Sequence, residues 1–89
     1  MLNPILIVEV LSKTTEVYDH LTKLEHYRTI HSLAEILLVA QDRPCVEHWV
    51  RQGEGHWIVE DVQGLETTVE LPSINCRLPL VMIYRQVLA

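Results

Sequence analysis

A single carboxylate, Glu9, lies inside an otherwise aliphatic run that extends from Ile5 to Leu11. A buried ionised carboxylate is costly unless a cation or several hydrogen-bond donors pair with it. Lys23 is a candidate partner, because it follows in a segment with helical periodicity. A carboxylate and a lysine that meet at a strand end could hold Mg²⁺ and position a water molecule. A structural ion pair, or a strand edge open to water, would also explain Glu9.

Asp19 precedes Lys23 by four residues, so the two side chains share one face of a helix. An acid–base pair at this spacing is most often a solvated helix face that contributes roughly 0.2–0.5 kcal/mol. A functional role for Asp19 therefore needs a further reason.

Other catalytic and binding motifs are missing from the sequence. Cys45 and His48 form one C-x-x-H pair, but no second pair of ligands completes a structural zinc site. Neither a glycine-rich phosphate-binding motif nor a G-x-S-x-G nucleophile elbow is present. The candidate chemistry therefore reduces to Glu9, Lys23 and Asp19.

The length and composition predict one small globular domain that comprises residues 1–89. The net charge of −5 argues against non-specific nucleic-acid binding, although it leaves room for nuclease chemistry, in which acidic residues hold the metal. No apolar run is long enough to span a bilayer, and the two cysteines do not form a disulfide framework. We therefore expect a cytoplasmic protein with reduced thiols and no membrane segment.

The elements that position Glu9 and Lys23 are a strand and the helix that follows it. The run Ile5–Leu11 is apolar on both faces, which predicts an interior strand of a covered sheet. A helix is predicted from about Glu16 to Arg28, with Arg28 at the end of its apolar stripe.

The rest of the chain predicts four more strands and a short final helix. This order of elements indicates a mixed-sheet α/β or α+β domain that begins with a parallel strand–helix–strand crossover. The strands are predicted at Glu35–Ala40, Cys45–Arg51, His56–Val62 and Thr67–Leu71, and the helix contains Leu80, Ile83, Tyr84 and Val87.

The first block of the chain resembles a known family. It matches the pattern P-x-x-x-x-E-V-L-S-x-x-T-x-x-Y-D-x-x-x-K-x-x-x-Y-R from Pro4 to Arg28, and the later segments "SLAEILLV", "VEHWVRQ" and "LPSINCRLPLVMIY" are also similar. These features resemble the "putative restriction endonuclease" family of bacterial proteins in the PD-(D/E)XK nuclease superfamily.

The resemblance implies a restriction-endonuclease-like mixed sheet and metal-dependent hydrolysis of DNA phosphodiesters. Glu9 would be the acidic residue of the D/E-x-K element and a Mg²⁺ ligand, while Leu11 stands where that element usually has its lysine. The resemblance assigns the lysine function to Lys23, which would orient the attacking water or stabilise charge on the phosphate. Asp19 would steady Lys23 or the start of the helix.

The sequence departs from the family pattern before Glu9. The family's "PD" aspartate lies on an upstream strand, whereas Met1 is only eight residues before Glu9. We therefore expect the second half of an endonuclease domain, truncated at its N-terminus, with weak or lost activity. The alternative is a non-catalytic binding or assembly module. In either case we expect a homo-oligomer or pairing with a related chain, because an uncovered sheet edge attracts other strands.

Overall fold

The computed structural model describes residues 3–11 and 16–87, without the side chains of residues 16–21 and 86–87. The described chain contains six strands and two α-helices. In chain order they are β1 (Leu6–Leu11), α1 (Glu16–Tyr27), β2 (Glu35–Ala40), β3 (Cys45–Gly53), β4 (His56–Gln63), β5 (Thr68–Leu71), β6 (Cys76–Pro79) and α2 (Leu80–Val87), with a short 3₁₀ turn at Pro72–Ile74.

The first four strands form one mixed sheet in the order β1-β2-β3-β4. Strand β1 runs parallel to β2, and α1 makes the connection between them. The pairs β2–β3 and β3–β4 are antiparallel, and β5 and β6 form a separate antiparallel hairpin. The predicted α+β class with a mixed sheet is therefore confirmed.

The prediction that the first strand is interior is wrong for the described residues. Strand β1 lies at the edge of the sheet, and Val8 and Val10 are about half exposed on one of its faces. The strand that is covered on both faces is β2, in which all six residues are buried. An apolar pattern on both faces does not distinguish the two strands, because it does not reveal whether each face has a neighbour.

The sheet separates two hydrophobic cores, and the two faces are named here after the helices that cover them. The α1 face carries the buried residues Leu11, Leu24, Leu33, Ile36 and Leu38. The α2 face carries Leu37, Val39, Val46, Val69, Leu71, Leu80 and Tyr84. Adjacent residues of β2 alternate between these cores, as the two-residue period of a strand requires.

Helix α1 ends at Tyr27, so Arg28 lies beyond the helix and is exposed. The expectation that Arg28 belongs to the buried stripe is therefore wrong. The hydroxyl of Thr29 donates to the carbonyl of His26 at 2.6 Å, which satisfies one of the carbonyls left free at the helix end. Leu24 is buried on the inner side of this helix.

The C-terminal segment differs from the prediction by one added strand. The hairpin strand β6 precedes α2, and Pro79 is its last residue. Asn75 makes the tight turn between the 3₁₀ turn and β6 with a φ of 51°, a conformation that asparagine tolerates better than most residues. The hydroxyl of Tyr84 donates to Ala40 O at 2.7 Å and accepts from the amide of Cys45 at 3.1 Å, which anchors α2 to the turn between β2 and β3.

The two tryptophans are not directly paired across the hairpin. Trp49 of β3 lies opposite Val59, and Trp57 of β4 lies opposite Arg51. Both indoles nevertheless pack against the core of the α1 face, because the strand register places both side chains on the same face of the sheet.

Candidate functional site

The carboxylate of Glu9 is the centre of a small polar cluster on the α1 face. Strand alternation places Ile7, Glu9 and Leu11 on this face, and Leu11 is buried in the core. The Glu9 side chain is 28% exposed, so it lies at the border between core and solvent. A carboxylate at this border needs hydrogen-bond partners for the oxygens that it withdraws from water.

Helix α1 supplies two donors to this carboxylate. Lys23 Nζ lies 3.3 Å from Glu9 Oε2, and the hydroxyl of Tyr27 donates to Glu9 Oε1. Lys23 and Tyr27 are four residues apart, so one face of the helix presents both groups to β1. Each oxygen of Glu9 therefore has its own donor, one cationic and one neutral.

The environment of Tyr27 favours its neutral form. Burial, the hydrogen bond to Glu9 and the negative charge of Glu9 raise the pKa of the Tyr27 phenol to about 12. A phenol that donates to a carboxylate resists ionisation, because its loss of a proton would place two negative charges in contact. Tyr27 therefore remains a hydrogen-bond donor across the physiological pH range.

The predicted convergence of Glu9 and Lys23 is confirmed, at a distance that satisfies both an ion pair and a hydrogen bond. The Lys23 side chain is 39% exposed, so solvent screening limits the contribution of this pair to about 1 kcal/mol or less. Asp19 lies within α1, but its side chain is outside the described part of the structure. Leu11 is a core residue and makes no polar contact.

Tyr27 belongs to this cluster but was not among the candidate site residues chosen from the sequence. The available signal was its position four residues after Lys23, which placed it on the same side of α1. A tyrosine at the margin of the apolar stripe of a helix is also common in a purely structural role. The spacing alone therefore did not identify Tyr27 as a site residue. The tertiary contact with Glu9 distinguishes the two explanations.

Further carboxylates continue the row of Glu9 across the sheet. In the strand register, Leu38 lies beside Glu9, followed by Glu47 on β3 and Asp61 on β4. Glu47 is two strand spacings away, about 10 Å, and its carboxylate accepts from Trp49 Nε1 at 2.6 Å. Among the side chains that the structure describes, no three His, Cys, Asp or Glu residues are grouped to hold a metal ion. The described residues therefore do not complete a Mg²⁺ site around Glu9.

A second acid–base pair lies on the α2 face. His48 Nε2 is 2.5 Å from Glu35 Oε2, and the other Glu35 oxygen accepts from the amide of Ser73 at 2.6 Å. Both side chains are almost fully buried. His48 also forms part of the wall of an open groove of about 820 Å³ between β3–β4 and the β5–β6 hairpin. The sequence alone indicated neither a site at Glu35 nor its pairing with His48.

The fold of the chain is similar to that of a solved nuclease-like structure. A "putative nuclease belonging to DUF820" from Anabaena variabilis superposes with a TM-score of 0.73 at 17% sequence identity. The superposition covers 98% of this chain and 47% of the Anabaena chain. Together with the mixed sheet, this similarity defines a restriction-endonuclease-like fold.

The family is established by the sequence comparison. The Uma2 family, described as "Putative restriction endonuclease", matches residues 1–80, and the chain belongs to this family. Two uncharacterised proteins of Synechocystis sp. are 38% and 33% identical over 76% and 92% of this chain. The chain spans 38% and 43% of their lengths, so it corresponds to less than half of each relative.

Neither described helix is long and apolar enough to cross a membrane. Both cysteines, Cys45 and Cys76, are free thiols.

Proposed function

We propose that residues 1–89 act as one half of a DNA-cleaving nuclease domain, to which they contribute Glu9, Lys23 and Asp19. The observation that carries this proposal is the convergence of Lys23 Nζ and the Tyr27 hydroxyl on the two oxygens of Glu9. Membership of the Uma2 family supports it, as does the fact that the chain spans 38–47% of its relatives' lengths. DNA is the proposed substrate and the cytoplasm the proposed compartment.

The proposed roles follow from the charge and geometry of each group. The ammonium of Lys23 is a partly exposed cation at the solvent border, suited to orient a water molecule or to stabilise negative charge that develops on a phosphate. Tyr27 holds the orientation of the Glu9 carboxylate through a phenol that stays a neutral donor below its raised pKa. Asp19 would position Lys23 from the same side of α1.

The proposed Mg²⁺ dependence requires a ligand that the described residues do not supply. Glu9 is a suitable oxygen ligand for this ion, but it is one carboxylate, and Lys23 and Tyr27 occupy both of its oxygens. A further carboxylate must come from residues outside the described part or from a second chain. Mg²⁺, when bound, would lower the pKa of a water molecule and neutralise phosphate charge.

The test is nicking of supercoiled plasmid DNA in Mg²⁺ or Mn²⁺, measured against an EDTA blank. We expect negligible nicking by the 89-residue chain. Addition of an upstream half that carries the missing aspartate should restore nicking, because it would supply the missing ligand. Glu9→Gln and Lys23→Ala should each abolish the restored activity.

Glu70→Gln is the matched control for Glu9→Gln, since Glu70 is an exposed carboxylate on β5. It should leave the restored nicking unchanged. Restored nicking that persists in Glu9→Gln would disprove the assigned site. Strong Glu9-dependent nicking by the chain alone would show that another residue, such as Asp19, completes the metal shell.

The second candidate function is a non-catalytic assembly module. The specific observation in its favour is the edge position of β1, which has one neighbouring strand among the described residues. Val8 and Val10 of this strand are exposed. Stable association with a second chain, with no cleavage under any of the conditions above, would favour this function over hydrolysis.

A further inference from the structure

Arg28 is an exposed cation directly after the end of the helix that carries Lys23 and Tyr27. It directly follows Tyr27, whose hydroxyl contacts Glu9. Its guanidinium carbon lies 6.0 Å from the centre of the Trp49 ring, a cation–π distance. Among the described residues no carboxylate forms an ion pair with Arg28, although Glu25 lies only three positions earlier in the chain.

The ring beneath Arg28 is fixed in place. Trp49 packs against the core of the α1 face, and its Nε1 donates to Glu47 Oε1 at 2.6 Å. An aromatic ring held by both contacts offers a rigid support, so Arg28 loses less conformational freedom when it binds a ligand.

Arg51 provides an internal comparison on the same face. Its guanidinium lies 4.6 Å from the centre of the Trp57 ring, and it donates from Nε to Leu33 O at 2.7 Å and from Nη2 to Ile30 O at 2.9 Å. These bonds secure the loop that follows α1, so Arg51 has a structural role. Arg28 has the same kind of aromatic support, but the described residues accept no hydrogen bond from it.

From this contrast we infer that Arg28 binds a backbone phosphate of DNA next to the bond that lies at the Glu9 cluster. The planar guanidinium can donate two parallel hydrogen bonds to a phosphate, and an indole on one of its faces leaves those donors free. In a chain of net charge −5, a cation that pairs with none of the described carboxylates offers a local anchor for a polyanion. This inference rests on the proposed nuclease function, for which it names a contact with the substrate.

The test compares Arg28→Gln with Arg85→Gln in binding to a fluorescently labelled DNA duplex, measured by anisotropy in EDTA over a series of salt concentrations. Arg85 is exposed on α2 and makes the matched change of charge away from the α1 face. We expect Arg28→Gln to weaken binding by about 3–10-fold and to reduce the slope of log K against log salt by about one. Arg28→Lys should keep the slope and recover part of the affinity, because a charge remains but the planar fork is lost.

The outcomes separate this inference from the proposed hydrolysis. Equal affinities and salt slopes for Arg28→Gln and Arg85→Gln would overturn the inference, even where Glu9-dependent cleavage is found. Arg28-dependent binding, with no cleavage even after the missing half is added, would keep the phosphate contact and reject the hydrolysis. Absence of measurable DNA binding by the unsubstituted chain at low salt would also overturn it. Thermal unfolding of each variant shows that the comparison is made between folded proteins.

Discussion

At the scale of single residues, the two donors on Glu9 are of different kinds. Lys23 contributes a charge that solvent reaches, whereas Tyr27 contributes a neutral donor whose pKa is raised to about 12. A ligand that takes the place of Lys23 would still find the carboxylate oriented by Tyr27. The cluster thus combines a replaceable partner with a fixed one.

The pH dependence of Tyr27 follows from its raised pKa. Its folded-state pKa of about 12 lies above the ordinary value of 10.0, so the contact stabilises the fold below pH 10 and loses this effect as the pH rises towards 12. We expect an ultraviolet absorbance titration to show a late tyrosinate transition of Tyr27, which Tyr27→Phe removes and Glu9→Gln shifts to lower pH.

Glu25→Gln is the control for this titration, because Glu25 is an exposed carboxylate on α1. Burial also raises the pKa of Tyr84, and the transition of Tyr84 should be the same in all three variants. If the late transition stays at the same pH in Glu9→Gln, Glu9 does not contribute to the raised pKa of Tyr27.

At the scale of elements, the buried pair Glu35–His48 connects β2 to β3, and the amide of Ser73 extends the contact to the 3₁₀ turn after β5. Removal of one partner of a buried pair leaves the other polar group without compensation, which is more costly than the loss of an exposed pair. The α2 face therefore depends on a polar contact as well as on its apolar core.

We expect Glu35→Ala to lower the free energy of unfolding by about 3 kcal/mol or more. Glu70→Ala removes the exposed ion pair with Arg77, whose side chains are 73% and 75% exposed, and should cost less than about 0.5 kcal/mol. Urea denaturation monitored by tryptophan fluorescence measures both variants. A loss in Glu35→Ala no greater than in Glu70→Ala would contradict a stabilising role for the buried pair.

At the scale of the whole molecule, the edge strand β1 connects the proposed site to the question of assembly. The strand that carries Glu9 has one neighbour among the described residues, and its exposed valines lie on the opposite face from Glu9. A chain that pairs with this edge would therefore approach Glu9 as well as cover Val8 and Val10. Assembly and completion of the site are thus coupled in this proposal.

We expect the 89-residue chain to self-associate in sedimentation velocity experiments at high concentration. Val8→Lys should shift the distribution towards monomer, because a charge on an edge strand opposes pairing. Met82→Lys adds the same charge at an exposed position on α2 and should leave the distribution unchanged. A stable monomer at all concentrations would argue against pairing at β1.

The sequence by itself determined the order of most elements and the pairing of Glu9 with Lys23. Helix α1 and strand β2 follow from local periodicity, and the pattern from Pro4 to Arg28 indicated the family that the comparison confirmed. These features depend on residues close in the chain, or on a strand and helix connected by a short segment. Local physical chemistry is sufficient to predict α1 and β2, whereas the family followed from the resemblance of the pattern to known proteins.

Only the tertiary structure decided which strand is an edge, which tyrosine holds Glu9 and which arginine remains available. The hydrophobic pattern of β1 does not identify its neighbours, and Arg28 and Arg51 differ only in the carbonyls and rings that folding brings to each. Glu35 follows the same principle, since its burial is tolerated only because His48 and Ser73 lie beside it. Each of these properties belongs to a contact between segments distant in sequence, which no single segment encodes.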